Sequence, residues 1–126
     1  LGWQEPVYEG MTAGTTGRNF AVEALTISKP DLGYSGGIEY RAHVQNIGWQ
    51  KWVKNGKLAG TTGKSLAIEA VEIKLTGDLA KHYDVVYRAH VQNKGWLDWV
   101  KSGECAGTTG EALHLEAIEV KMVEKW

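Results

Sequence analysis

The segment Tyr40-Arg-Ala-His-Val-Gln-Asn-Ile-Gly-Trp49 returns as Tyr87-Arg-Ala-His-Val-Gln-Asn-Lys-Gly-Trp96, an offset of 47 residues. The correspondence continues through Trp52 and Trp99, Gly56 and Gly103, and Ala59-Gly-Thr-Thr-Gly63 against Ala106-Gly-Thr-Thr-Gly110. It ends at Glu69-Ala-Val-Glu-Ile73 against Glu116-Ala-Ile-Glu-Val120. A third copy lies at an offset of 46: Gly2-Trp3, Gly10, Ala13-Gly-Thr-Thr-Gly17 and Val22-Glu-Ala-Leu-Thr-Ile27. That copy has no Tyr-Arg-Ala-His-Val-Gln-Asn segment, because the sequence opens at Leu1. Repetition at this period means one supersecondary unit copied, and each copy needs its neighbours to bury its apolar face. The 126 residues therefore read as one domain of three repeats, with units at 1–37 (truncated), 38–84 and 85–126.

Within a unit the apolar period is two. Tyr40, Ala42 and Val44 fall on one face of a strand, with Arg41, His43 and Gln45 on the other. Asn46-Ile-Gly48 is a turn signal, and Trp49 to Val53 reads as the return strand of a hairpin. Leu66 to Leu75 is a longer strand with Val71, Ile73 and Leu75 on one side and Glu72 and Lys74 on the other. No segment carries a helical stripe. The expected class is all-β: three antiparallel meanders related by pseudo-threefold symmetry, with a β-prism preferred over a β-trefoil. An open solenoid of three short units would leave two raw sheet edges.

Composition narrows the functions. Fourteen basic and fifteen acidic residues leave a net charge of −1, with no cationic field for nucleic acid or an anionic membrane surface. No apolar run approaches the length of a transmembrane helix. No secretion signal opens the sequence, which begins inside a repeat and reads as an excerpt of a longer protein. Cys105 is the sole cysteine, so it has no internal disulfide or metal-cluster partner; it reads as filler of a half-buried site.

The tryptophans divide into two sets. Trp3, Trp49 and Trp96 follow the turn glycine in all three units and are expected in the shared core. Trp52 and Trp99 match each other but correspond to Pro6 in the first unit, so they are the better exposed aromatic platforms. Sugar rings stack on such platforms through their C–H faces without needing charge. Arg41/Arg88, His43/His90 and Gln45/Gln92 on the polar strand face offer planar donors and acceptors suited to hydroxyl, acetamido or carboxylate groups.

Glu23, Glu69 and Glu116 have the parity of the apolar positions that follow. They are expected to point inward, tied to backbone N–H groups or to Arg41/Arg88, unless a bulge at Glu-Ala turns them outward. Ala-Gly-Thr-Thr-Gly is read as a structural turn, since it lacks the Lys-Ser/Thr spacing and helix of a phosphate loop. The histidines have neither zinc-type spacing nor a Ser or Cys nucleophile in a suitable loop. The expectation is a binding module, not an enzyme, with no metal and no cofactor.

Gly-Trp-x-x-Trp-Val-x-x-Gly-x-x-Ala-Gly-Thr-Thr-Gly, followed by Ile-Glu-Ala-Val-Glu-Ile-x-Leu, resembles the clostridial hydrophobic repeat with a conserved tryptophan, ChW. The resemblance covers almost the whole chain and departs at Pro6 and at the absent first strand of unit one. It implies a secreted or cell-surface protein of Gram-positive anaerobes, attached to cell-wall or other polysaccharide as a carbohydrate-binding module. A protein-interaction or self-association module is the alternative. The truncated unit is expected to be closed either by Met122–Trp126 or by residues upstream of Leu1.

Overall fold

The computed structural model describes residues 11–14 (as backbone), 21–29 and 31–125. The chain is mostly β, in several sheets. Unit one contributes β1 (Met11–Gly14) and β2 (Ala24–Leu25). Unit two contributes β3 (Gly37–Val44), β4 (Gly48–Trp49), β5 (Val53–Lys54), β6 (Ala59–Gly60) and β7 (Ile68–Thr76). A short helix α1 (Gly77–His82) leads into β8 (Tyr83–Val91), β9 (Gly95–Trp96), β10 (Val100–Lys101), β11 (Cys105–Gly107) and β12 (Leu115–Glu124) of unit three. The helix escaped the periodicity because its six residues bury one apolar anchor, Leu79, and one anchor makes no stripe.

The long strands follow the alternation. Ile38, Tyr40, Ala42 and Val44 are buried, as are Val85, Tyr87, Ala89 and Val91, while Arg41, His43, Arg88 and His90 are half-buried on the other face. β3 pairs antiparallel with β7, and β8 with β12. The predicted turn forms: Ile47 N donates to Val44 O at 3.0 Å, with Asn46 and Gly48 at positive φ. Both β4 and β5 return along β3, as β9 and β10 return along β8.

The units are not simple meanders. After β5 the chain leaves its own sheet, and the Ala-Gly strand pairs with the preceding unit. β6 joins β2, and β11 joins β7. β1 joins β12 in the equivalent register, which closes the three units into a ring: Ala59 faces Leu25, Ala106 faces Val71, and Ala13 faces Ile118. The seam between units three and one is thus made by Met11–Gly14 on residues 117–120, while Met122–Glu124, one of the two segments expected to close the truncated unit, pair with β8 of their own unit instead; Trp126 lies outside the described residues. Near the ring's centre Val22 N donates to Leu115 O, and Ile68 N to Val22 O, both at 2.8 Å. These three residues occupy one position in the three units.

Glycine sits at each joint for a steric reason. Gly60 and Gly107 have φ of 98° and 110°, and a Cβ there would overlap the Glu23 and Glu69 carbonyl oxygens respectively. The next residue completes the seam, Thr61 N donating to Glu23 O at 2.9 Å and Thr108 N to Glu69 O at 3.1 Å. The Ala-Gly half of the motif read as a turn is thus the strand that joins one unit to the next, and its Thr-Gly half bends as expected, with Gly63 and Gly110 at positive φ.

A tyrosine locks two of the joints. The Tyr87 hydroxyl accepts from Ile73 N at 3.0 Å and donates to Glu104 O; Tyr40 accepts from Ile27 N at 3.0 Å and donates to Lys57 O. Each hydroxyl holds apart two backbone groups that would otherwise pair. At the third joint the equivalent residues, Met11 and Val120, pair directly. Burial raises both phenol pKa values above the ordinary tyrosine value.

Candidate functional site

The outward faces of β3/β7 and β8/β12 carry nearly identical constellations. In unit two Arg41 reaches across the pair to Glu72, Nε donating to Oε1 at 2.8 Å and the second nitrogen standing 2.6 Å from the same oxygen. The pairing register places these residues directly opposite each other. The guanidinium carbon lies 4.7 Å from the Trp49 ring centroid and 4.9 Å from that of Trp52. Lys74 Nζ lies 4.3 Å from Trp52. In unit three Arg88 Nε donates to Glu119 Oε1 at 2.6 Å, and its guanidinium carbon lies 4.5 Å from Trp96 and 4.8 Å from Trp99. Lys121 Nζ is 4.5 Å from Trp99. Cation and ring attract through the ring quadrupole, so each carboxylate orients an arginine that in turn steadies two indoles.

This geometry corrects the division of the tryptophans. Trp49 and Trp96 are not core residues: both are half-buried on the polar face, beside Trp52 and Trp99. Trp3 lies outside the described residues. Among the described residues the buried aromatics are Tyr40 and Tyr87. A residue repeated in every unit can mark a repeated outer face as readily as a shared core. Trp99 is 39% exposed and Trp52 is half-buried, so the platforms differ in openness.

The histidines extend each face. His43 Nδ1 stands 3.1 Å from Glu69 Oε1, and its ring meets Trp49 edge-on at 5.2 Å between centroids. His90 meets Trp96 at the same 5.2 Å, with Nδ1 3.0 Å from Glu116 Oε1 but without hydrogen-bond alignment. A register shift between His43 and Val44, matched at Leu115/Ala117, is the bulge that brings Glu69 and Glu116 to the histidines. Both carboxylates are buried, as expected, but the bulge turns them toward the histidines of the outer face and not toward Arg41 or Arg88. Arg41 and Arg88 bond the other glutamates, Glu72 and Glu119, and Glu23 is exposed. Unit three adds His114 where unit two has Ala67; its Nε2 is 3.8 Å from Glu116 Oε2.

Gln45 and Gln92 turn away from this work. Their Oε1 atoms accept from the backbone N–H of Ala67 (3.2 Å) and His114 (3.5 Å), holding the bulged ends of the long strands. Cys105, expected half-buried, is exposed on β11 opposite Glu72; local desolvation first, and the Glu72 carboxylate second, push its thiol pKa up.

Four residues of the face were not assigned to the site from sequence: Glu72/Glu119 and Lys74/Lys121, although Glu72 and Lys74 were expected on the outer side of their strand. Their signal was available, since unit one has Thr26 and Ser28 at the same positions. Neither can pair with an arginine or lie over an indole as a cation, so unit one lacks the face's charged frame.

The family model for Clostridial hydrophobic W (ChW) matches three times, at residues 1–28, 43–77 and 90–124, which together make up most of the chain. No curated protein and no solved structure gives a significant match. The repeat fold, the three sequence copies and the triple match agree, and the chain belongs to the ChW family.

Proposed function

We propose that this three-repeat ChW module is a non-catalytic carbohydrate-binding domain that holds a secreted or surface protein to bacterial cell-wall glycan. The single observation that carries the reading is the twin outer face, Trp49–Arg41–Trp52 with Lys74 and Trp96–Arg88–Trp99 with Lys121, built to closely similar distances in two units. Indole surface beside oriented guanidinium, imidazole and carboxylate groups combines apolar stacking with planar hydrogen bonding, which is what a sugar ring and its substituents require. Two copies on one rigid ring multiply retention on a repeating polymer. As to architecture, the reading takes the ring as a β-prism, supported by the long strands of each complete unit forming the body of a separate sheet.

Retention on purified peptidoglycan tests this. The Trp52→Ala/Trp99→Ala variant, shown folded by circular dichroism, is expected to lose retention by about tenfold or more. Unchanged retention overturns the site, and concentration-dependent dimerisation without any glycan response favours a protein-interaction module instead.

A further inference from the structure

We propose that the two outer faces, read as glycan sites, differ in the ligand charge they select. Unit two prefers an anionic glycan bearing carboxylate or phosphodiester groups, and unit three disfavours one. The inference rests on the glycan reading and adds a ligand class to each face. The indoles and guanidinium groups match between the faces, but the connectors and turns around them do not. Lys51, Lys57 and Lys64 of unit two stand where unit three has Asp98, Glu104 and Glu111. Three positive charges are thereby exchanged for three negative ones. Residues 38–84 hold seven basic and five acidic side chains, against five and six in residues 85–126, so unit two is a cationic segment of a nearly neutral chain.

The exchanged positions border the tryptophans. Lys51 and Asp98 immediately precede Trp52 and Trp99, in the connectors from β4 to β5 and from β9 to β10, and both are exposed. Lys64 and Glu111 lie in the loops after β6 and β11. The Glu111 loop stands beside the hairpin turn that leads to Trp96, since Lys94 Nζ is 3.5 Å from Glu111 Oε1. Unit two has Ile47 in place of Lys94, so Lys64 has no charged counterpart in that turn. Among the described residues Lys51, Lys57 and Lys64 are exposed and enter no ion pair, which leaves their charge to a ligand. One change runs the other way: Glu39, which is 3.7 Å from Lys74, becomes Val86 in unit three. It removes one carboxylate against three introduced, so the rim decides the sign. Exposed charges act over about 8 Å at physiological ionic strength, so they sort ligands at contact without giving the chain a long-range field. Stacking on indole is common to both faces, so both remain sites and the rims set the order of affinity.

The test uses the whole chain with three probes: polygalacturonate, poly(glycerol phosphate) and the uncharged oligomer chitohexaose. Trp99→Ala leaves the face of unit two, and Trp52→Ala leaves that of unit three. At low salt Trp99→Ala is expected to hold polyanion about tenfold or more tightly than Trp52→Ala, and the gap should shrink as salt rises. Lys51→Asp/Lys57→Glu/Lys64→Glu gives unit two the rim of unit three. It should lose about tenfold or more in polyanion affinity while chitohexaose binding stays within about twofold. A response to one polyanion alone supports the proposal and names the group read, carboxylate or phosphodiester. Equal polyanion affinity in the two tryptophan variants, or no change on the triple substitution, overturns it. Polyanion binding that survives in Trp52→Ala/Trp99→Ala also overturns it, by placing the binding outside the faces. Where the wild type is retained on peptidoglycan and these results fail, the charge preference falls and the glycan reading stands. A wild type that binds neither peptidoglycan nor any probe overturns both.

Discussion

Tyr87 shows how much one atom can hold in this fold. Its ring is fully buried in the core, and its hydroxyl lies between Ile73 N and Glu104 O, residues of two different units. Tyr87→Phe keeps the ring and strands a buried N–H, so it should cost about 1–3 kcal/mol in chemical denaturation. The phenol also imposes a pH dependence. Desolvation raises its folded-state pKa above the unfolded value of about 10, so the folded state favours the protonated form. The stabilisation is complete below that unfolded value and declines as pH rises through the folded one. Wild-type stability should therefore fall in strong alkali, and Tyr87→Phe should show a smaller fall over the same pH window. Tyr40 makes the corresponding contacts at its own joint. Both tyrosines were assigned to the inward face by alternation alone, but their hydroxyl partners were not legible. One partner of each, Ile73 or Ile27, lies in the preceding unit, and no local pattern encodes which backbone group a buried hydroxyl will meet.

At the scale of elements, the Ala-Gly strand is the part that departs most from expectation. Glycine and threonine clusters ordinarily mark turns, and the motif carries no period-two signal long enough to announce a strand. What decides its course is contact between units: Gly60 and Gly107 lie against the bulged Glu-Ala segments of the preceding units. Gly107→Ala would force a Cβ onto the Glu69 carbonyl while φ stays at 110°, and should destabilise the domain by about 1–3 kcal/mol or more. Thermal unfolding measures this, and Gly110→Ala provides a comparison, having positive φ but open space around its Cβ position. A larger loss at Gly107 than at Gly110 is expected, because only the first adds a collision to the strain. The bulge itself was open in the sequence: Glu-Ala parity allowed either an inward carboxylate or a rotated one. The structure selects rotation, since facing His43 and His90 gives each carboxylate a polar neighbour that the core could not supply.

For the molecule as a whole, three copies build the ring and, among the described residues, two build the outer face. The sequence made the copies plain and made Pro6 a warning about unit one. It was less informative about the face, where Trp49 and Trp96 were expected inside, and where Glu72 and Lys74 were placed on the outer side of their strand without a role. The reason is physical: repetition reports that a position matters to every unit, and both a core and an outer face satisfy that. The decisive difference lies in the polar neighbours. Thr26 and Ser28 deprive unit one of the carboxylate that aims an arginine and of the lysine that covers an indole. The account therefore assigns binding to units two and three alone. Calorimetric titration with soluble peptidoglycan fragments tests that claim most directly. Two sites are predicted for the wild type, with one remaining in Trp52→Ala and one in Trp99→Ala. A count of three, or a count of two that persists in both folded variants, would contradict it.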